Sequence, residues 1–404
     1  MVTVLAGIRA RLAEAGIEDA AFEAAQLYTL ATGRDAYLAD DAPLAPSEQE
    51  RLDALCAKRC TRYPLQYLCG AWDFMDLTLK IGPGVLIPRA DTETVAMAAI
   101  ETARAAGAAQ AAERAGMAGA AGTTGATGRA GIAGTAQATG IAVATGPAGI
   151  AAPTGITGQT GTAKAAAAAA TAPKGPAVAD LCSGSGAIAL AVARHVPHAH
   201  VTAVEISPHA LTFLRANNHA YGDPLNIVWD DVFCWQNACA PESLDVIVSN
   251  PPYIAPEEFA ALAPELAYEP RIALEAADGG LRFYRHIAPA YFSVLRPGGW
   301  LIFETGYRQA DAVAALCRDA GYTSVSVRKD AGGNPRCVLA RRPFANAGEV
   351  GYTKKEAASA QNPQKTGLSD ILSGKIDTAG RLRNAHSFPA GDCVRVRSGL
   401  QSGI

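Results

Sequence analysis

A mostly parallel α/β sheet, covered by helices on both faces, is predicted for residues 177–344 on three observations. Short apolar runs alternate with helical patterns through the segment, a glycine-rich turn joins the first run to the first helix, and an acidic residue closes the second run. Strands buried on both faces read as near-continuous apolar runs, and parallel neighbours need a crossover between them, usually a helix.

The elements follow in order. Ala177–Leu181 reads as a buried strand, the turn covers 182–186, and a helix spans Ile188–Arg194. Val201–Val204 is a second strand and Pro208–Asn218 a second helix, with further strands at Asn226–Val228 and Leu244–Val248. Phe283–Leu295 is expected as a helix ended by Pro297-Gly298-Gly299, Trp300–Glu304 as a strand, and Ala310–Ala320 as a helix closed by Gly321.

The preceding sequence has a different character. In residues 1–70, Val4, Leu5, Ile8 and Leu12 recur at helical spacing, as do Phe22, Leu27 and Leu30. Ser47 with Glu50 three residues on matches a capping box, and Leu52, Leu55 and Cys56 then share a face. Residues 71–101 read as a connector made of a strand or hairpin over Trp72–Ile81 and a helix.

Residues 102–176 are mostly Ala, Gly and Thr. Every glycine between Gly116 and Gly161 falls in one three-residue frame, which is empty at Gln137, Val143 and Ala152. The interruptions and the presence of only Pro147 and Pro153 oppose a collagen-like helix. A disordered insertion is expected, because so little apolar surface cannot offset the entropy of ordering. Residues 345–404 read as a polar, disordered tail.

Across 404 residues, 35 basic side chains stand against 38 acidic ones, a net charge of −3. Nucleic-acid binders usually carry a basic domain or stripe, so no stable nucleic-acid binding is expected. The nine cysteines include no Cys-x-x-Cys pair, which argues for reduced thiols and against a zinc site or disulfide framework. No metal site is expected at His195, His198 and His200, which read as helix-end and solvent-exposed residues. With neither a signal peptide nor an apolar span at the expected length, a cytoplasmic protein without membrane association is expected, acting as a monomer.

Three constellations carry chemistry. Asp180-Leu181-Cys182-Ser183-Gly184-Ser185-Gly186 lies between a strand and a helix, where glycines let the backbone approach a ligand. Glu205 ends the next strand, the position from which an acid reaches ribose hydroxyls in doubly wound folds. No dinucleotide fingerprint follows, so an adenosyl ligand is favoured over a dinucleotide. Asp230-Asp231-Val232-Phe233 offers an acid for an exocyclic amine and a ring for stacking, although a helix cap with a core phenylalanine would look the same. Asn250-Pro251-Pro252-Tyr253 follows a strand at its carboxyl end, where open α/β sheets place ligands. Consecutive prolines make a stiff loop with free carbonyls. The Asn250 side-chain oxygen and the Pro251 carbonyl can accept the two protons of a planar nitrogen, aiming its lone pair at an electrophilic methyl.

These motifs, together with Leu65–Gly70 and Val85-Leu86-Ile87-Pro88-Arg89-Ala90-Asp91-Thr92-Glu93, resemble the HemK/PrmC family of peptide-chain release factor glutamine N5-methyltransferases. The resemblance covers residues 1–100 and 177–343. It implies a Rossmann-like class I S-adenosylmethionine methyltransferase domain with a small N-terminal helical-bundle domain for substrate recognition. It further implies S-adenosyl-L-methionine held by Asp180, Cys182, Ser183, Gly184, Ser185, Gly186, Glu205, Asp231, Val232, Asn250 and Arg89. Asn250, Pro251, Pro252 and Tyr253 would bind the glutamine of the Gly-Gly-Gln motif in class I release factors, with Asn250 and Pro251 catalytic. Cys182, Ser183 and Val232 depart from common family residues. A ribosomal-protein glutamine methyltransferase, an adenine-N6 or cytosine-N4 nucleic-acid methyltransferase, and a non-catalytic adenosylmethionine-binding scaffold remain the alternatives at this point.

Overall fold

The structure, a computed structural model, describes residues 2–37, 43–122 and 175–344. The expected tail lies outside these residues, as does most of the expected insertion. Four helices open the chain: α1 (Val2–Glu14), α2 (Ala20–Thr32), α3 (Pro46–Cys60) and the short α4 (Leu65–Cys69). Ile8, Leu12, Leu27, Leu52 and Cys56 meet in their common core, whereas Phe22 of the predicted stripe is exposed. The start of α3 differs from the expected box. Ala45 is the N-cap, Pro46 is the first helical residue, and Glu48 rather than Glu50 accepts from the Ala45 N–H at 2.8 Å. Proline's fixed φ suits the first helical position, and this sets the helix register two residues earlier.

A hairpin, β1 (Ala71–Phe74) and β2 (Leu77–Lys80), leads into α5 (Ala90–Gly122). The helix corrects the expected start of the insertion. It runs 21 residues past 101, burying Thr102 and Ala103, while Gln110 donates to the Asp245 carboxylate at 3.0 Å. Alanine-rich sequence lacks the periodic stripe that marks a helix, yet alanine has the best intrinsic helix propensity.

The remaining strands form one seven-stranded sheet: β3 (Ala177–Leu181), β4 (His200–Glu205), β5 (Leu225–Trp229), β6 (Leu244–Ser249), β7 (Leu295–Glu304), β8 (Thr323–Lys329) and β9 (Pro335–Arg341). Their spatial order is β5-β4-β3-β6-β7-β9-β8, with β5 through β7 parallel and β9 antiparallel to both its neighbours. Helices α6 (Ala187–His195), α7 (Pro208–Ala220), α8 (Arg282–Ala290) and α9 (Ala310–Asp319) complete the layers. Two apolar clusters flank the sheet, one including α5, α6 and α7 and the other α8 and α9.

Two expected boundaries move. Helix α8 stops at Ala290, with Pro289 in its last turn, and β7 begins at Leu295 and passes through Pro297-Gly298-Gly299. A Cβ on Gly299 would stand 2.9 Å from the Asp245 carbonyl oxygen, so glycine here serves close strand approach rather than a helix stop. The β8–β9 hairpin has no counterpart among the expected elements. Thr323–Lys329 is largely exposed and polar, the pattern of an edge strand.

Asn217 of α7 ties the hairpin to the sheet: its Oδ1 accepts from Lys80 N at 2.7 Å and its Nδ2 donates to the Ser185 carbonyl at 3.0 Å. The adjacent Gly186 starts α6 with φ +85°, and a Cβ there would fall 2.5 Å from Leu214 Cδ1. Gly186→Ala is therefore expected to lower the urea midpoint, at a cost of ~1–3 kcal/mol. An unchanged midpoint would contradict this packing.

Candidate active site

The parallel pairing of β3 with β6 sets Leu181 opposite Ser249, and the Ser249 hydroxyl donates to the Leu181 carbonyl at 2.8 Å. The residues that leave these strands, Cys182 and Asn250, consequently start two loops at the same level of the sheet. A cavity of about 280 Å³ opens there.

Its floor is the glycine turn. Cys182 at φ +62° and Gly184 at φ +56° reverse the chain. The Ser183 hydroxyl donates to the Asp180 carbonyl at 2.7 Å, and Gly186 N closes the turn on the Ser183 carbonyl at 2.8 Å. Glu205 braces the turn from the end of β4. One carboxylate oxygen accepts from Gly184 N and the other from Ser207 N, each at 2.8 Å. Burial raises its pKa despite those bonds, and each oxygen keeps a lone pair for a further donor.

Asp180 is buried at the root of the turn, with Oδ2 accepting from Ala189 N at 3.1 Å and Oδ1 without a partner. Burial pushes its carboxyl up to about 8, with nearby Glu205 adding to the rise. On another wall, Asp231 accepts from Phe233 N at 2.9 Å, which fixes the Asp231–Phe233 turn. Phe233 packs against Phe283 with ring centroids 5.1 Å apart.

Of the residues singled out in the sequence, Asp180, Cys182, Ser183, Gly184, Ser185, Glu205, Asp231, Val232, Asn250 and Pro252 line the cavity. Gly186, Arg89, Pro251 and Tyr253 do not. Gly186 is committed to packing on Leu214. Arg89 turns instead to an ion pair with the buried Glu269, whose other oxygen accepts from Ile87 N at 2.9 Å. The Gly84–Pro88 segment and Thr92 form the wall in its place. Tyr253 sits behind the loop, its backbone held by Leu274 at 3.2 Å and by Gln309 Nε2 at 2.8 Å.

Sequence reasoning missed Ile206, Ile272, Arg282 and Phe283, which also line the cavity. Phe283 carried a signal, since it lies on a helix reaching the sheet's carboxyl edge, but its spacing reads as core. Ile272 lies in a run of short 3-10 turns, Pro256–Ala261, Pro264–Tyr268 and Arg271–Ala273, with no periodicity to read. Those turns also touch the helical unit: Glu265 pairs with Arg59 and Arg62, and the Tyr268 hydroxyl donates to the Thr61 carbonyl at 2.8 Å.

Among the described residues seven cysteines, including Cys182, are free thiols. Among the described residues no cluster could hold a metal ion, and no helix is long and apolar enough to cross a membrane.

A sheet of this order with its antiparallel β9, and a cavity between the first glycine turn and the loop after β6, define a Rossmann-like class I S-adenosylmethionine methyltransferase fold preceded by a small helical bundle. The family model for the methyltransferase small domain matches residues 162–284, and that for the PrmC N-terminal domain matches residues 3–70. A release factor glutamine methyltransferase of Geobacter sulfurreducens is 32% identical over 342 residues, spanning 84% of this chain and 95% of the relative. One from Cereibacter sphaeroides is also 32% identical, over 83% of this chain and 96% of the relative, and one from Moorella thermoacetica is 31% identical over 82% and 95%. The chain belongs to the release factor glutamine methyltransferase family.

The state of Asp180 has a measurable consequence. A carboxyl whose folded pKa lies above its unfolded value contributes stability in full at acid pH, and that contribution is lost as pH rises through about 8. Asp180→Asn, which can still accept from Ala189 N, should lose less stability between pH 5 and pH 8.5 than the natural protein, by ~1 kcal/mol or more. Parallel stability–pH curves in chemical denaturation would contradict a neutral buried acid.

Proposed function

We propose that this chain transfers a methyl group from S-adenosyl-L-methionine to the side-chain amide nitrogen, N5, of the glutamine in the Gly-Gly-Gln motif of class I peptide-chain release factors. The observation that carries this reading is Asn250 in the wall of the cavity, one strand away from the glycine turn, in a chain of this family.

The residues present fit the cofactor. A Cβ added to Gly184 would meet no protein atom within 4 Å, so the turn leaves open space beside the cavity it lines. Glu205 faces that space with lone pairs to spare, a suitable acceptor for ribose hydroxyls. Asp231 supplies an acceptor for an exocyclic amine, and Phe233 with Phe283 an apolar wall for a purine. In this reading, Ser183, Ser185 and Val232 complete the cofactor's bed and the Gly84–Pro88 segment closes its other side. When bound, the cofactor supplies an electrophilic methyl on a sulfonium.

The protein's part is to bind and orient the acceptor. An amide nitrogen is a poor nucleophile because its lone pair is delocalised into the carbonyl. Accepting both its protons, at Asn250 Oδ1 and at the carbonyl of Pro251, which lies between the cavity-lining Asn250 and Pro252 without lining the cavity itself, concentrates electron density on nitrogen and points it at the methyl. Pro251 and Pro252 carry no N–H that would compete as donors, and Tyr253 supports the loop from behind. The helical unit of residues 1–70 is the substrate-recognition domain in this account, and its ion pairs to Glu265 hold it against the turns that border the cavity.

The assay is transfer of labelled methyl to a purified release factor. The natural protein should label it, a release factor with the tip glutamine changed should stay unlabelled, and Asn250→Ala should lose at least ~100-fold in turnover while keeping cofactor affinity. Robust labelling of DNA or of a ribosomal protein, with none of release factor, would overturn the reading.

A further inference from the structure

Behind the Asn250–Tyr253 loop lies a buried acid that is not part of the cavity lining. Glu304, the last residue of β7, is 2% exposed. The Tyr253 hydroxyl donates to its Oε1 over a long 3.5 Å, and its Oε2 has no partner within bonding distance. The Thr92 hydroxyl is a looser neighbour of the same carboxyl and favours its charged form. Thr92 Oγ in turn stands 3.5 Å from Asn250 Nδ2. One branch of contacts thus runs from the cavity wall through Asn250 and Thr92 to Glu304, and a second reaches Glu304 from Tyr253 of the same loop.

The chemistry of a hydroxyl makes the first branch directional. Thr92 has one proton to give and lone pairs to accept with. When it gives that proton to a carboxylate, its lone pairs face the Asn250 NH₂, and Asn250 Oδ1 is left pointing away from Thr92. The two ends of an amide are nearly the same size, so only hydrogen-bond polarity decides which end faces an acceptor.

We propose that Glu304 is a positioning residue for methyl transfer, fixing through Thr92 which end of the Asn250 amide faces the substrate and steadying the loop through Tyr253. This inference rests on the role given to Asn250 above. Glu304 does not line the cavity and touches no reacting atom. An unpartnered buried carboxyl oxygen costs stability, and its cost is understandable where its polarity orders a catalytic loop.

The arrangement makes turnover sensitive to pH. Burial pushes the Glu304 carboxyl up to about 7. The groups facing it are Thr92 and Asp91 from the first turn of α5, Tyr253 from the loop, and Arg336 from β9, which also pairs with Asp91 and Asp330. Tyr284 of α8 bonds only to the Glu304 backbone carbonyl, at 2.8 Å. Above about pH 7 the ionised carboxylate accepts from both hydroxyls. Below it the neutral acid becomes a donor, the polarity of the branch is lost, and turnover falls.

The experiment compares the natural protein with Glu304→Gln, Glu304→Asp and Thr92→Val, using release factor as acceptor from pH 6 to 9 and measuring kcat, KM and cofactor affinity separately. For the natural protein, kcat should fall about tenfold per unit below pH 7. Glu304→Gln should lose about tenfold or more in kcat at pH 8, keep cofactor affinity within about twofold, and lack the acid limb; Glu304→Asp should recover part of the rate and the limb. Thr92→Val keeps the shape without the hydroxyl, and it should likewise lower kcat and remove the limb, which keeps the test decisive if Glu304→Gln fails to fold. A folded Glu304→Gln or Thr92→Val with the natural kcat and an unchanged acid limb would overturn the proposal. Asn250→Ala measured alongside separates the two readings: full activity there removes the role of Asn250 itself, whereas an inactive Asn250→Ala beside a fully active Glu304→Gln removes only the positioning role of Glu304.

Discussion

The site depends on the side-by-side parallel pairing of β3 and β6. With Leu181 opposite Ser249 and bonded through its hydroxyl, the two strands end level, and whatever follows each of them must share one space. A slip of one residue would turn every side chain on β6 to the opposite face, and would carry the Asn250 loop away from the glycine turn. All six residues of β6 and all five of β3 are buried, so the apolar faces on both sides fix that register. The flanking layers then matter for what they deliver: α5 brings Thr92 to one wall, β4 brings Glu205, and α8 brings Phe283.

Placing a site at strand ends has a cost in buried charge. Asp180 and Glu304 stand near the ends of β3 and β7, each nearly inaccessible and each with one oxygen unpartnered. Desolvation drives both pKa values upward. Acids with raised pKa values around a cavity are characteristic of functional sites. Here they sit on either side of the β6 loop, one under the glycine turn and the other under Asn250.

Most of this was legible from local patterns. The glycine turn, Glu205 and Asn250–Tyr253 depend on short spacings and on strand ends, and apolar runs mark strand ends well. What escaped has physical reasons. The extension of α5 past residue 101 hides in alanine, which forms helices without an amphipathic stripe. Only the first half of β7 hides, behind Pro297-Gly298-Gly299, residues that usually break structure but here sit where Asp245 backbone approaches; Trp300–Glu304 reads as a strand. Strand β8 is too polar to announce itself. The family resemblance gives Arg89 to the cofactor, yet Glu269, 180 residues away in sequence, takes its charge. Glu304 looks like any acid at a strand end until Thr92 and Tyr253 are brought beside it by tertiary structure. Long-range partners of this kind leave no spacing to read.

The claim that two neighbouring strand-end loops bring a methyl donor and an amide nitrogen together is tested most directly by a crystal structure of the protein with the demethylated cofactor and a Gly-Gly-Gln peptide. The account predicts the nucleoside on the 182–186 turn beside Glu205, and the glutamine amide nitrogen within hydrogen-bonding distance of Asn250 Oδ1 and the Pro251 carbonyl, facing the cofactor sulfur. A glutamine side chain bound elsewhere, or an amide whose oxygen rather than nitrogen faces the sulfur, would contradict it.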